Sequence, residues 1–433
     1  MRLVPDLVFT EGGFRPNLAV ILAGGAIAAV EPAGAPRPGD LPLAKRALLP
    51  GTVNSHCHTF QSLLRGLGDD LDFSGWRDRV LYPFSERLNR QGIALGAQFA
   101  FAEMLLQGVT TCVDFFYLQD DGNENAEAVI EAARSAGIRL VLARAMYDWA
   151  GAPTRYRETP AAAARRVREL HARHRDDPTV RVQPAPHSPH GASPEMIRAG
   201  WEVAEETDTP FHIHVAEARY EGERTVREHG ATPIRYLDRL GVLGPRMIGV
   251  HCVWLDDAEI TLMGARGVAL AYCPSSNMFL GDGITRLPEL LAAGVRVGLG
   301  TDGGCTNNRL SVFEEMRMAS LLQRVRLLDG TALPAERAFA LGTISAAEML
   351  GLEAGAIAQG RLADLVAVDL EHPSLHPRSN LTKSVVYAMS PQAVTDVWVH
   401  GTQVVESGRL VTVDARGLLG EVRELTRGWS LRR

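Results

Sequence analysis

The 433-residue sequence predicts an α/β protein: a (β/α)8 barrel with a small composite β-sandwich formed by both termini. Three observations predict it. From Leu49 onward, short apolar strand-like runs alternate with helical patterns, as in a parallel sheet buried on both faces. Eight such runs occur within roughly 250 residues, enough to close a ring of strands. On either side of that stretch the texture is β-rich and broken by Gly and Pro.

In order, residues 1–48 read as strands at Leu3–Phe9, Leu18–Leu22 and Ala26–Val30, punctuated by GG, PG and Pro. The barrel unit, 49–359, supplies strands at Leu49–Asn54, Thr110–Phe115, Arg139–Ala145, Val180–Ala185, Pro210–His214, Met247–His251, Val268–Cys273 and Val295–Gly300. Helical stretches separate them, among them Gly96–Gln107, Ala126–Gly137, Thr159–His174 and Pro194–Glu206. Further helices follow at Leu310–Arg326, Pro334–Leu341 and Ser345–Leu350. From 360 to 433 the chain returns to strands and turns, at Leu365–Asp369, Ala393–Val399, Gln403–Glu406 and Arg409–Val411. The economical arrangement joins 1–48 with 360–433 beside the barrel.

Composition narrows the function. A net charge of −6 argues against a general nucleic-acid binder. No apolar run reaches membrane-spanning length, and the N-terminus lacks the pattern of a signal peptide. The five cysteines are scattered and odd in number, which fits a reducing cytoplasm. The expected partner is a small molecule rather than nucleic acid or membrane. A homodimer or higher homo-oligomer is compatible with the reading.

The chemistry collects at strand ends, where a parallel barrel builds its active site. Residues i and i+2 of a strand share a face, so His56 and His58 project side by side at the end of the first strand. Strand four runs into His187 and His190, strand five into His212, His214 and Glu217, strand six into His251, and strand eight into Asp302. His56, His58, one histidine of strand five and Asp302 would give three nitrogens and one carboxylate around a divalent metal. Zn²⁺ is the first expectation and Fe²⁺ the alternative. His212 and His214 share a face, and spacing alone does not choose between them. His214 is favoured, being nearer the strand end and Glu217. The lysines, Lys45 and Lys383, lie outside the barrel strands, so one metal rather than a lysine-bridged pair is expected. Such an ion acidifies its bound water. Asp302 can take the water's proton, His251 can hydrogen-bond the attacking oxygen, and Glu217 can pass a proton to the substrate.

These residues in this order resemble the amidohydrolase superfamily, in its one-metal aminohydrolase branch. The segments GLGTDGGCTNNRLSVFEEMRMASLLQ, LLRGLGDDLDFSGW, PAPHSPHGAS, HCVWL and CPSSNMFL resemble S-adenosylhomocysteine/5′-methylthioadenosine deaminases. So do GRLADLVAVDL and VWVHGTQVVESGRL near the end of the chain. The resemblance implies a metal-dependent deaminase of an amino-purine nucleoside or related heterocycle. It places His56, His58, His214 and Asp302 on the metal, Glu217 on a ring nitrogen of the substrate, and His251 on the attacking water. It further implies that His187 contacts substrate, that Glu103 holds ribose hydroxyls, and that Arg144 meets a substrate carboxylate, with Arg155 or Arg157 as a second arginine. Trp76 or Trp149 could stack on a heterocycle. SHCHTFQ, Trp76–Arg77, HIHVAE and LGDGI are also similar to formiminoglutamate deiminases. Guanine, 8-oxoguanine and pterin deaminases and triazine chlorohydrolases are further relatives on the same kind of site.

Overall fold

The computed structural model describes residues 1–431. The expected unit 360–433 therefore ends in two positions, 432 and 433, that lie outside the described residues. The N-terminal segment forms β1 (Arg2–Thr10), β2 (Gly13–Pro16), β3 (Leu18–Ala23), β4 (Ala26–Pro32) and β5 (Asp40–Pro50). The middle supplies β6 (Thr52–Cys57), β7 (Val109–Phe116), β8 (Arg139–Met146), β9 (Val180–Pro186), β10 (Phe211–Val215), β11 (Met247–His251), β12 (Ala269–Tyr272) and β13 (Arg296–Leu299). The C-terminal segment adds β14 (Leu365–Asp369), β15 (Val394–Val399), β16 (Thr402–Glu406) and β17 (Arg409–Leu410).

The middle strands make two parallel four-stranded sheets, β6-β7-β8-β9 and β10-β11-β12-β13. Every residue of β6, β7, β8, β10, β11 and β12 is buried, the mark of strands covered on both faces. Hydrogen bonds cross both seams between the sheets just beyond the strand ends. His214 N–H donates to His187 O at 3.0 Å, and Asp302 N–H donates to His56 O at 3.0 Å.

Helices lie between the strands, and local chemistry starts them. Pro194–Glu206 begins where the Ser193 hydroxyl accepts from Met196 N–H and Pro194 occupies the first turn. Asp256 and Glu259 form a reciprocal capping box for Asp257–Ala265. The helix Glu124–Ala136 stops at Gly137, whose φ of 82° suits a residue without Cβ. Among the described residues no helix is long and apolar enough to cross a membrane.

The two ends of the chain pair into one nine-stranded sheet, in the order β17-β16-β15-β14-β5-β1-β3-β4 with β2 on β1. β5 is the joint, parallel to β1 and antiparallel to β14. Leu3, Val20, Ile27, Leu48, Leu365 and Trp398 form a core under this sheet, separate from the main one. A buried ion pair, Arg139 to Asp364 at 2.7 and 3.0 Å, ties the start of β8 to the residue preceding β14.

Besides β5 and the short helix Leu381–Tyr387, neither of them expected, two further elements differ from the sequence reading. The expected strand Leu49–Asn54 is divided at Gly51: Leu49 and Pro50 pair with β14, while Thr52 begins β6. A Cβ at Gly51 would lie 2.1 Å from Thr110 Oγ1, so the chain passes here only with glycine. The second difference is the helix Ala415–Leu425, which packs its apolar side on Arg90–Leu106 where only strands and turns were expected.

Candidate active site

Four strands deliver the polar cluster. β6 carries His56 next to its last residue, Cys57, and His58 follows the strand; His214 lies on β10 and Glu217 just beyond; His251 closes β11; Asp302 stands three residues after β13. The turns off these strands are sharp. Ala216, His251, Cys252 and Asp302 all have left-handed backbones, with φ of 53°, 70°, 47° and 59°. Non-glycine residues in that region cost roughly 1–3 kcal/mol each, a strain that concentrates at functional sites.

The side chains converge. Asp302 Oδ1 lies 3.5 Å from His56 Nε2 and 3.5 Å from His58 Nε2. His214 Nε2 is 3.2 Å from His56 Nε2. His251 Nε2 sits 3.4 Å from Glu217 Oε1, and its ring is 5.8 Å from that of His56. All six residues are buried.

Hydrogen bonds fix how the rings present themselves. His58 Nδ1 donates to Phe115 O at 2.6 Å, and His214 Nδ1 donates to His187 O at 2.9 Å. A carbonyl oxygen only accepts, so each ring carries its proton on Nδ1 and turns the bare Nε2 lone pair inward. Asp302 is held from behind: Ser276 Oγ donates to Oδ2 at 2.6 Å and Gly303 N–H to Oδ1 at 2.7 Å. The inward-facing lone pairs of His58 and His214, beside a carboxylate and the His56 ring, form a donor set suited to a divalent cation. His56, His58 and Asp302 form one such group, and His56, His214 and His251 another.

Electrostatics separate the two carboxylates. Burial pushes Asp302 up, but the His56 hydrogen bond and the His58, His56 and His251 charges outweigh it and hold the carboxyl well below its ordinary range. Glu217 goes the other way: burial first, then the charges of Asp302 and Glu221, raise it well above the usual value. The surroundings thus push the two carboxyl groups in opposite directions, the division that acid–base chemistry needs. Burial, reinforced by neighbouring imidazoles, lowers His214, and it takes His58 down to about 3.

The cluster floors a cleft. Its walls are aromatic, from Phe73, Trp76, Tyr117, Tyr147, Trp149 and Tyr156. Arg77 lines it too, stacked 5.5 Å from the Trp149 ring. His187 belongs to this wall, its ring 5.0 Å from that of His214. His212 turns away and bonds Gln183 Oε1 at 2.7 Å.

Three sets of expected substrate-binding residues lie apart from this cleft. Arg144 is fully buried: its guanidinium reaches Glu158 at 2.8 and 2.9 Å and Asn123 at 2.8 Å, so it has no face left for a substrate. Glu103 accepts from Arg65 at 2.6 Å and lines a separate surface groove, not this cleft. Arg155 and Arg157 bind Asp120 and Thr154, and neither lines the cleft. All three readings came from local motif matches, and a motif does not say which way a side chain leaves its helix or strand. Conversely, Tyr117 and Tyr147 were missed. They follow the ends of β7 and β8, so applying the strand-end rule to those two strands would have found them.

The family model described as amidohydrolase family matches residues 47–404. A 5′-deoxyadenosine deaminase of Methanothermobacter thermautotrophicus is 36% identical over 411 residues, 94% of each chain. A 5-methylthioadenosine/S-adenosylhomocysteine deaminase of Syntrophobacter fumaroxidans is 35% identical, covering 96% of this chain and 94% of that one. Among solved structures, a zinc-bound adenosine deaminase from Xanthomonas campestris superimposes with a TM-score of 0.91 at 31% identity, over 98% of this chain and 97% of the other. An atrazine chlorohydrolase from Arthrobacter aurescens shares the fold, with a TM-score of 0.91 at 23% identity over 98% and 99%. By its sequence match, its strand-end cluster and its superposition, the chain belongs to the amidohydrolase family.

Proposed function

We infer that this chain is a metal-dependent aminohydrolase that releases ammonia from an amino-substituted purine or a related N-heterocycle. The observation that carries the reading is the meeting of two oppositely tuned carboxylates, Asp302 and Glu217, across three inward-facing imidazoles. His56, His58, His214 and Asp302 would hold the ion, zinc in first place and iron as the alternative. The ion supplies Lewis acidity that lets a water attack at neutral pH.

The side chains account for the proton traffic. Asp302 takes one proton from the attacking water as its oxygen bonds to the amine-bearing ring carbon. Glu217 gives its proton to the adjacent ring nitrogen, and His251 steadies the oxygen. Asp302 then delivers its proton to the amino group, and the C–N bond breaks as ammonia leaves. The remaining hydroxyl proton returns to Glu217, leaving a ring carbonyl. His187 and the aromatic wall would hold the ring.

We read the two parallel sheets as halves of one closed (β/α)8 barrel over 49–359. The terminal sheet would fold over its own core as a β-sandwich of 1–48 and 360–433. A cytoplasmic enzyme that assembles as a homo-oligomer fits the same reading.

The relatives' names point to adenosine-type nucleosides with a 5′-deoxy or 5′-thioether group. A second reading, a free base or other small amino-heterocycle, is favoured by the positions of Glu103 and Arg144, which leave the ribose and carboxylate contacts unassigned. Ammonia release by the zinc-loaded enzyme from 5′-deoxyadenosine, 5′-methylthioadenosine, adenosine, adenine and guanine tests both. Turnover of nucleosides over bases supports the first reading, and the reverse supports the second. No turnover of any of them, with metal bound, overturns the aminopurine reading. Chelation is expected to abolish activity and added Zn²⁺ to restore it.

A further inference from the structure

Behind the aromatic wall runs a chain of hydrogen bonds that the proton traffic above does not use. Trp76 Nε1–H donates to Cys305 Sγ at 3.3 Å. The Cys305 thiol donates to Gln61 Oε1 at 3.3 Å. Gln61 Nε2–H donates to the Tyr117 hydroxyl oxygen at 2.5 Å. Trp76, Gln61 and Tyr117 all line the cleft, and Cys305 is fully buried.

The hydrogen bonds of this chain run one way. The indole N–H can only donate, the sulfur accepts it, and the Cys305 thiol donates onward to the Gln61 carbonyl. That orients the amide, whose NH₂ side faces the phenol. The Tyr117 oxygen is thereby occupied as an acceptor, and its proton must go elsewhere. Among the described residues this hydroxyl makes no other hydrogen bond. Burial pushes the Tyr117 phenol well above its ordinary value, so the proton stays on.

The chain is also rigid. A Cβ at Gly303 would lie 1.9 Å from Gln61 Oε1, and one at Gly304 would lie 2.6 Å from Ser62 Oγ. The two glycines after Asp302 let the β13 end close on the Thr59–Leu64 turn, clamping the Gln61 amide beside the proposed metal ligands. Tyr156, the neighbouring phenol, bonds Ser85 Oγ at 2.6 Å, and Ser85 Oγ in turn donates to Tyr82 O. The Tyr156 proton is thus consumed within the protein, whereas that of Tyr117 is not.

We propose that Tyr117 is a specificity-determining residue: it donates a hydrogen bond to an acceptor atom of the substrate ring other than the nitrogen served by Glu217, with Gln61 and Cys305 as positioning residues behind it. The proposal rests on the aminohydrolase reading and deepens it. It narrows the substrate to heterocycles carrying a second acceptor, a ring nitrogen or carbonyl oxygen, on the edge facing β7. An all-carbon edge would leave a buried phenol unsatisfied and be rejected.

The test compares zinc-loaded wild type with Tyr117→Phe on a 6-aminopurine that the wild type turns over, and on its 3-deaza and 7-deaza analogues. In the wild type, one of the two carbon replacements is expected to lower kcat/KM about 30-fold. Tyr117→Phe is expected to lose about the same factor on the parent purine and to be indifferent to that replacement. Cys305→Ala is expected to raise KM a few-fold with little change in kcat, and Cys305→Ser, which keeps a donor and an acceptor, to restore it. Equal losses of Tyr117→Phe on all three purines, or none, would overturn the role of Tyr117 while leaving the aminohydrolase reading intact. Wild-type inactivity on every 6-aminopurine would overturn both.

Discussion

Glu217 and Asp302 are both buried acids in one cluster, yet they differ in what surrounds them. Asp302 has imidazole rings and two hydrogen-bond donors at its oxygens. Glu217 has His251 at 3.4 Å and the like charges of Asp302 and Glu221 nearby. The proposed general acid is therefore separable from the proposed ligands. Glu217→Gln is expected to lower kcat by about 10²- to 10⁴-fold with unchanged metal content. Parallel ammonia assays and metal analysis check this. A loss of metal in that variant would make Glu217 a ligand instead. These site positions were legible in the sequence because a strand's period of two and the end-of-strand rule both act locally. The aromatic wall was not legible in the same way. Trp76 and Trp149, the two stacking candidates, do line the cleft, but Phe73 and Tyr156 come from short helical segments between strands, whose approach to the cleft depends on tertiary packing.

At the scale of elements, the helix Val312–Leu327 braces the site through one buried acid. Glu315, in its first turn, accepts from Ser275 N–H at 3.0 Å and from Asn307 Nδ2 at 2.9 Å. Ser276, the next residue, donates to Asp302. Burial pushes Glu315 up to about 8 from an ordinary 4.5. Its folded-state affinity for a proton is thus higher than in the unfolded chain. Below the unfolded value both states are protonated. As pH rises from there towards 8, the unfolded chain ionises first, and Glu315 contributes a progressive loss of stability. Glu315→Gln is expected to remove that part of the slope. Denaturant unfolding of both proteins at pH 5, 6.5 and 8 checks it: the wild type should lose ground relative to the variant as pH increases. Most elements were readable from periodicity, and Met247–His251 and Pro194–Glu206 coincide with their expected limits. β5 was not. Asp40–Pro50 contains prolines and a Lys-Arg pair, which argue against a strand, and its partners on both sides decide otherwise.

At the scale of the whole molecule, the terminal sheet is joined to the parallel sheets by few charges but by well-placed ones. Arg139 and Asp364 are almost wholly inaccessible and meet in a two-pronged contact, and Asp364 also accepts from His400 N–H at 2.8 Å. Removing one partner strands the other in a dry environment. Asp364→Ala is expected to cost about 3–5 kcal/mol, and the double replacement Arg139→Met with Asp364→Leu to recover much of it. Chemical denaturation of the single and double variants measures both. The ordering of strands in this sheet lies beyond sequence reasoning, because pairing between positions so distant leaves no local periodic trace.

That distance has a consequence during synthesis. β5 leaves the ribosome with β1 on one edge, and its other edge waits for β14, about 300 residues later. At ordinary elongation rates the gap is on the order of half a minute. For that interval each nascent chain carries an unpaired strand edge of the kind that recruits neighbours. Yield in a cell should therefore depend on translation speed and chaperone supply more steeply than the finished enzyme's stability would suggest.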